Sequence, residues 1–239
     1  MPSITRRRLL GAATAAVPFA AGALIAGATG PDDSKGCAVK TMVVPPASKL
    51  STQKMAQMSA VAREDFRQRH FPNLTLITHE GRSVRFYDDL IKDKIVTLNF
   101  FYAHCEGACP KVAANLAKIQ KIFGDRVGRE LFMYSFTLKP EHDTPEVLKA
   151  YAQMYDAKPG WTFLTGTPDD MERLRKTLGF TNSNPELDKD KSQHTGNIRY
   201  GNEPLMIWGC VPGMGVPSWI AREISFAFSP EINIDRFKS

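Results

Sequence analysis

From Asn73 onward the apolar positions switch between short unbroken runs and a spacing of three to four residues, which predicts strands alternating with helices. Residues 74–77 and 84–86 flank His79-Glu80-Gly81-Arg82 and read as a hairpin. Residues 95–101 form a continuous apolar run, a buried strand. Residues 110–123 follow with Val112, Leu116, Ile119 and Phe123 on one helical face, stopped by Gly124. Residues 131–138 alternate as a further strand. Thr144-Pro145-Glu146 supplies an N-cap, a proline and an early acid, and opens a helix whose buried face is expected at Val147, Tyr151 and Met154. Residues 161–164 are a short strand, and Thr167-Pro168-Asp169-Asp170 repeats the helix start, with Met171, Leu174 and Leu178 facing inward before Gly179. Residues 196–200 and 205–208, joined by Gly201-Asn202-Glu203, read as a closing hairpin. Upstream, residues 51–69 place Met55, Met58, Ala62 and Phe66 on one helical face. The order predicts an α/β sandwich, a central sheet flanked by helices, with an N-terminal helix and a hairpin added.

The first 28 residues follow neither rhythm. Thr5-Arg6-Arg7-Arg8-Leu9-Leu10 leads an apolar stretch to Ala28 and reads as a twin-arginine export signal, with Ala26-Gly27-Ala28 as the cleavage site. A plain basic signal of the general secretory route, or a retained anchor, is the competing reading. Three glycines and Pro18 weigh against a stable span. Residues 29–50 are rich in Gly, Pro, Asp and Ser and read as a linker; residues 51–71 carry the N-terminal helix and 72–239 the main domain. The expected location is periplasmic, where disulfides persist, and the N-terminal segment could hold the protein at a membrane.

Composition changes this picture little. Over 239 residues the chain is 43% hydrophobic and 23% charged, enough to bury a core. Its net charge of +6 includes the three arginines of the leader, so the remainder carries +3 with both signs interspersed. That is no footprint for nucleic acid.

Chemistry concentrates in Phe100-Phe101-Tyr102-Ala103-His104-Cys105-Glu106-Gly107-Ala108-Cys109-Pro110. A buried strand delivers two cysteines, four residues apart, to a helix N-terminus, where the macrodipole and free N–H groups lower a thiol pKa. Ligands of such sheets gather at the carboxyl ends of the strands. The pair can close a disulfide or turn together onto one soft metal ion, so the residues alone leave redox chemistry and copper both open. A purely structural disulfide would close too short a loop to stabilise much. His104 points away if the strand persists, and His70, His79 and His142 show no partner pattern and read as surface residues. Met42, Met55 and Met58 read as core filler rather than extra copper ligands. Cys37 and Cys210 are left as a second pair that an oxidising compartment would allow to bridge.

Three segments together resemble the Sco/SenC family of thioredoxin-like proteins: the C-x-x-x-C-P of residues 101–110, Pro140-Glu141-His142-Asp143-Thr144-Pro145 leading into a helix, and His194 before a strand. The resemblance spans residues 72–208. It implies a thioredoxin-like fold and one copper ion, Cu(I) or Cu(II), held by Cys105, Cys109 and His194. It also implies a role in assembling the binuclear copper centre of a respiratory oxidase. Soft thiolates with one imidazole suit Cu(I). The implied partners are a copper-receiving oxidase subunit or another copper enzyme, and a thioredoxin-like reductant. Lys139 stands where the family usually has an aspartate, as does Gln193; Gly201-Asn202-Glu203-Pro204 replaces an acidic turn, and residues from 209 on match nothing familiar. The function expected is copper delivery. The alternatives are thiol–disulfide exchange that reduces a partner's copper-binding cysteines and, less well matched by the residues before Cys105, peroxide reduction. The sequence leaves open whether the protein is an enzyme.

Overall fold

The computed structural model describes residues 52–190 and 196–228, with side chains from residue 60 onward. The export signal and linker, Cys37, Met42, Gln193 and His194 lie outside the described residues, as do the side chains of Met55 and Met58.

The chain forms the thioredoxin-like α/β sandwich that the sequence predicts. Its elements are α1 (Thr52–His70), β1 (Thr75–Thr78), β2 (Ser83–Arg85), β3 (Ile95–Phe101), α2 (Ala108–Phe123), β4 (Leu131–Thr137), α3 (Pro145–Met154), β5 (Trp161–Thr165), α4 (Pro168–Thr177), α5 (Pro185–Lys189), β6 (Asn197–Asn202), β7 (Ile207–Pro212) and α6 (Pro217–Ser225). One seven-stranded sheet has the order β2-β1-β5-β4-β3-β6-β7. Its centre, β3, β4 and β5, is parallel, and the outer pairings are antiparallel. Among the described residues no helix is long and apolar enough to cross a membrane.

Two cores sandwich the sheet. On one face α2, α3 and α6 pack Leu116, Ile119, Leu148 and Ile224 against Phe101, Met133 and Phe163. On the other, α4 and the segment after β2 pack Met171, Leu174, Phe86 and Ile91 against Leu98, Phe100 and Phe136. A strand covered on both faces has no solvent side, so β4 is buried throughout except at Phe132, rather than alternating. Its inward polar groups are satisfied across the strands: the Ser135 hydroxyl donates to Asn99 at 2.7 Å and accepts from the Trp161 indole N–H at 2.9 Å.

Several expectations need correction. On α3 the buried positions are Leu148, Tyr151 and Ala152, and Met154 is 74% exposed. Adjacent apolar residues at 147 and 148 permit two phases, and packing on β5 selects the second. The closing hairpin turns later than expected, because Gly201 and Asn202 still belong to β6. Gly201 serves a packing need, not a turn: a Cβ there would come within 2.1 Å of the Trp208 ring. His79 is half-buried, not a surface residue. Its Nδ1 accepts from the Phe163 N–H at 3.3 Å, and burial lowers its pKa. Glu203, read as a turn residue, is an interior carboxylate bound by Arg63, Tyr87 and the Asp93 N–H.

Candidate functional site

Parallel pairing of β3, β4 and β5 brings their carboxyl ends to one edge, where the loops after β3 and β4 meet. Antiparallel pairing of β6 and β7 brings the start of β6 and the end of β7 to the same edge, since Ile198 pairs with Asn99 and Asn197 with Pro212. Topology alone therefore gathers Cys105, Lys139, Gly196 and Gly213 around one rim.

The helix after β3 begins two residues earlier than the sequence suggests, at Ala108. Pro110 falls in its first turn, where a missing N–H costs nothing because no intrahelical acceptor is in reach. Cys109 is thus in the first turn, while Cys105 precedes the helix in the loop. The loop, rather than an i, i+4 helical spacing, brings the thiols together, and they are hydrogen-bonded to each other. Both are buried, Cys105 at 7% and Cys109 at 1% exposure, so an incoming reactant meets Cys105 first. Gly107 lines the approach: a Cβ there would lie 3.8 Å from the Cys105 sulfur.

The helix N-terminus is expected to lower a thiol pKa; Cys105 does fall, and the two thiols diverge. Burial opposes ionisation of Cys105. Hydrogen bonds from the Cys109 thiol, the Cys109 and Gly107 N–H groups and the Tyr102 hydroxyl outweigh it, pulling Cys105 below the usual thiol value. Burial pushes Cys109 strongly upward, and its bond to Cys105 adds to the rise. Tyr102 is pushed up to about 12 by burial and by its hydrogen bond to Cys105. The two thiols therefore differ in acidity, with Cys105 the more readily ionised.

A buried carboxylate fixes the loop. Asp143 accepts from the Ala103 N–H at 3.2 Å and from the Thr137 hydroxyl. The Lys139 N–H donates to the Thr137 oxygen at 2.9 Å, and the Asp143 N–H donates to the Lys139 carbonyl, also at 2.9 Å. The loops after β3 and β4 thus share one interior anchor. Nothing in the sequence pattern shows Asp143 as interior; only its place ahead of the N-cap Thr144 marks it. Lys139 lies with its ammonium nitrogen 4.1 Å from the Tyr102 ring centroid.

The rim continues around α2. A Cβ on Gly196 would come 3.4 Å from Ala108 and 3.5 Å from Val112. Asn115, buried on α2, donates to the Gly213 and Gly215 carbonyls at 2.8 and 2.9 Å and pins the loop after β7. His104 is exposed and His142 is exposed on the neighbouring turn. Cys210 lies half-buried on β7 opposite Arg199. Among the described residues no three His, Cys, Asp or Glu side chains cluster as a metal site. The donor set they provide is two adjacent soft sulfurs among the apolar side chains of one core. That chemistry fits a soft, low-coordinate ion.

Known proteins match this architecture. The family model described as SCO1/SenC matches residues 62–211. A Stutzerimonas stutzeri protein named for copper binding is 30% identical over 138 residues, covering 55% of this chain. The chain spans just 64% of that relative's length. Among solved structures, a SCO1/SenC family lipoprotein of Bacillus anthracis superposes with a TM-score of 0.55 at 22% identity, covering 66% of this chain and 94% of that one. ScoI of Bradyrhizobium japonicum, solved with copper bound, superposes with a TM-score of 0.52 at 21% identity, covering 64% and 96%.

Proposed function

Because the chain belongs to the SCO1/SenC family, we propose that it binds one copper ion through Cys105, Cys109 and His194 and passes it to a respiratory oxidase subunit or another copper enzyme. The observation that carries this reading is the pair of contacting, buried thiols of opposite acidity at the sheet edge. Two flanking positions support His194 as the third ligand. Asp190 is close enough to Tyr102 to act on its ionisation, and Gly196 packs on the first turn of α2. When bound, Cu(I) would take both sulfurs as thiolates, with a neutral imidazole completing the set. The pocket wall of Phe101, Tyr102 and Tyr151 would keep bulk water from them.

Reduction of a partner's disulfide is the second reading, and the divergence of the thiols favours it: a low-pKa Cys105 attacks, and a protonated Cys109 is held in reserve to resolve the mixed disulfide. The two roles are compatible, because loading requires reduced thiols. We place the working domain outside the cytoplasmic membrane, exported through the twin-arginine leader of residues 1–28. Replacing Arg6 and Arg7 by Lys tests the route: normal processing and export of that variant would reject it.

The test of the site is a Cu(I) titration of the reduced protein against a competing chelator. One equivalent should bind, and none in Cys105→Ser or Cys109→Ser. His194→Ala should weaken binding about ten- to a hundredfold, the scale of damage to a metal's ligand environment. Full stoichiometry in Cys109→Ser would remove the site. To separate the two roles, His194→Ala is supplied to cells whose oxidase needs the protein. Full rescue of oxidase activity without added copper would assign the function to thiol exchange.

A further inference from the structure

We propose that the face formed by α2, α6 and the loop between β7 and α6 docks on a bilayer that contains anionic lipid. The inference goes beyond copper binding and does not depend on what the thiols do.

Helix spacing builds the face. Lys111, Asn115, Lys118 and Ile122 recur at i, i+4, i+7 and i+11 and so share one side of α2. Asn115 on that side holds the carbonyls of Gly213 and Gly215, which sets the loop carrying Met214 and Val216 beside the two lysines. The loop leads into α6, whose Ile220, Ala221 and Ile224 enter the core shared with α2. Trp219 and Phe226 are seven positions apart, on the side of α6 away from those three. Trp219 also lies against the loop, since a Cβ on Gly215 would come 3.4 Å from its ring. At the far end the Phe123 and Phe228 rings stack at 5.8 Å, which brings Ile122 and Phe226 to the same end of the two helices. Met214, Val216, Trp219, Phe226 and Ile122 are each between 40% and 64% exposed. Apolar residues gathered in this way mark an interaction surface, whereas single exposed ones do not. Four of the five lie beyond residue 211, where the match to the family model ends.

Charge decides the occupant. α2 carries Lys111, Lys118 and Lys121 and no acid. Along these elements the carboxylates are Glu106 ahead of α2, Asp125 beyond it, and Glu223, which Arg222 pairs at 3.6 Å. Such a face complements an anionic surface, and its composition favours lipid over protein. Lysine is depleted at protein–protein interfaces. On a bilayer a lysine keeps its ammonium among the headgroups while its stem covers apolar surface. Tryptophan and phenylalanine flanked by cations are what interfacial helices present, with the indole at headgroup depth.

Trp219 supplies the probe. The chain has three tryptophans and residues 1–28 hold none, so the leader cannot mimic the signal. Trp161 is buried and Trp208 half-buried, which leaves Trp219 as the one in contact with solvent. The full chain is titrated with vesicles of phosphatidylcholine alone, or of phosphatidylcholine mixed with phosphatidylglycerol. With the mixed vesicles the emission should move to the blue and resist acrylamide quenching; with the neutral ones it should stay where it is. Trp219→Phe should abolish the shift. Lys111→Gln combined with Lys118→Gln should weaken binding about tenfold or more, because each basic residue near an anionic surface contributes about fivefold. High salt should act in the same direction. The two lysines are exposed, so their double variant keeps the test decisive if Trp219→Phe loosens the loop. An unshifted Trp219 on mixed vesicles, an equal shift on neutral ones, or parental binding by the lysine variant would overturn the proposal. A shift that grows with protein concentration in the absence of vesicles would also overturn it and assign the face to a second copy. A shift given by polyglutamate but not by vesicles would overturn it in favour of an acidic protein.

Discussion

Glu203 offers the sharpest test of how the N-terminal helix is attached. Its carboxylate is 2% exposed, yet four donors converge on it. Oε1 accepts from Arg63 Nε at 2.6 Å and from the Tyr87 hydroxyl at 2.9 Å; Oε2 accepts from the Asp93 N–H at 2.9 Å and from a second Arg63 nitrogen. One side chain thereby ties α1, the segment after β2 and the turn between β6 and β7. Glu203→Gln keeps the volume but turns one acceptor oxygen into a donor that faces other donors. Losing a charge-assisted hydrogen bond costs about 1.5–3 kcal/mol. Arg63 is 33% exposed and regains water, which discounts the ion-pair share. A cost of about 2–3 kcal/mol follows, a fall in Tm of roughly 4–12 °C for a domain of this size. The pH dependence has a definite sign. Burial raises the Glu203 pKa, but the hydrogen bonds from Arg63, the Asp93 N–H and Tyr87 outweigh it, and the folded value lies below the unfolded one. Its stabilisation is therefore complete above the ordinary carboxylate range, about pH 4.3, and fades as pH falls through the lower folded value. Thermal melts of both proteins from about pH 7 down to pH 3 should show the gap narrowing at the acid end. A gap unchanged with pH, or a variant melting within about 1 °C of the parent at neutral pH, would refute the argument.

Three further outcomes are expected, each read by urea denaturation at neutral pH. Leu148→Ala should cost about 2–5 kcal/mol and Met154→Lys within about 0.5 kcal/mol of nothing; equal losses would contradict the observed phase of α3. Gly160→Ala should cost about 3 kcal/mol or more, because its φ is +93° and a Cβ would meet the Gly128 nitrogen at 2.3 Å; a neutral substitution would refute that close approach. Asn115→Ala should cost about 2 kcal/mol by stranding two carbonyls, with faster amide exchange around residues 213–215, and an unchanged exchange pattern would show that the loop after β7 holds itself.

The thiol motif was legible because its signal is local: an apolar run, two cysteines and a proline-marked helix start lie within sixteen residues, and the strand bounds 95–101 coincide with β3. The surrounding network was not legible. Asp143, Tyr102 and Lys139 have no periodic signature, and their contacts depend on which loops share an edge of the sheet. Glu203 misled for a related reason. Between Gly, Asn and Pro it has the company of a turn residue, whereas its burial is set by Arg63, 140 positions away.

What the sequence determines by itself is the order of the strands and of helices α1 to α4, the α/β class and the delivery of two thiols to a helix start, because periodicity, capping and turn chemistry act over a few residues; α5 and α6 are seen only in the structure. The tertiary structure decides the rest. Parallel pairing of β3, β4 and β5, with β6 and β7 folded back beside β3, collects the distant loops on one rim. Packing then sends the two cysteines in opposite directions: hydrogen bonds outweigh burial at Cys105 and ease it toward its anion, and burial dominates at the deeper Cys109 and pushes its thiol up. Spacing along a chain places two sulfurs near each other, but the dielectric and the donors around each one exist only once the chain has packed.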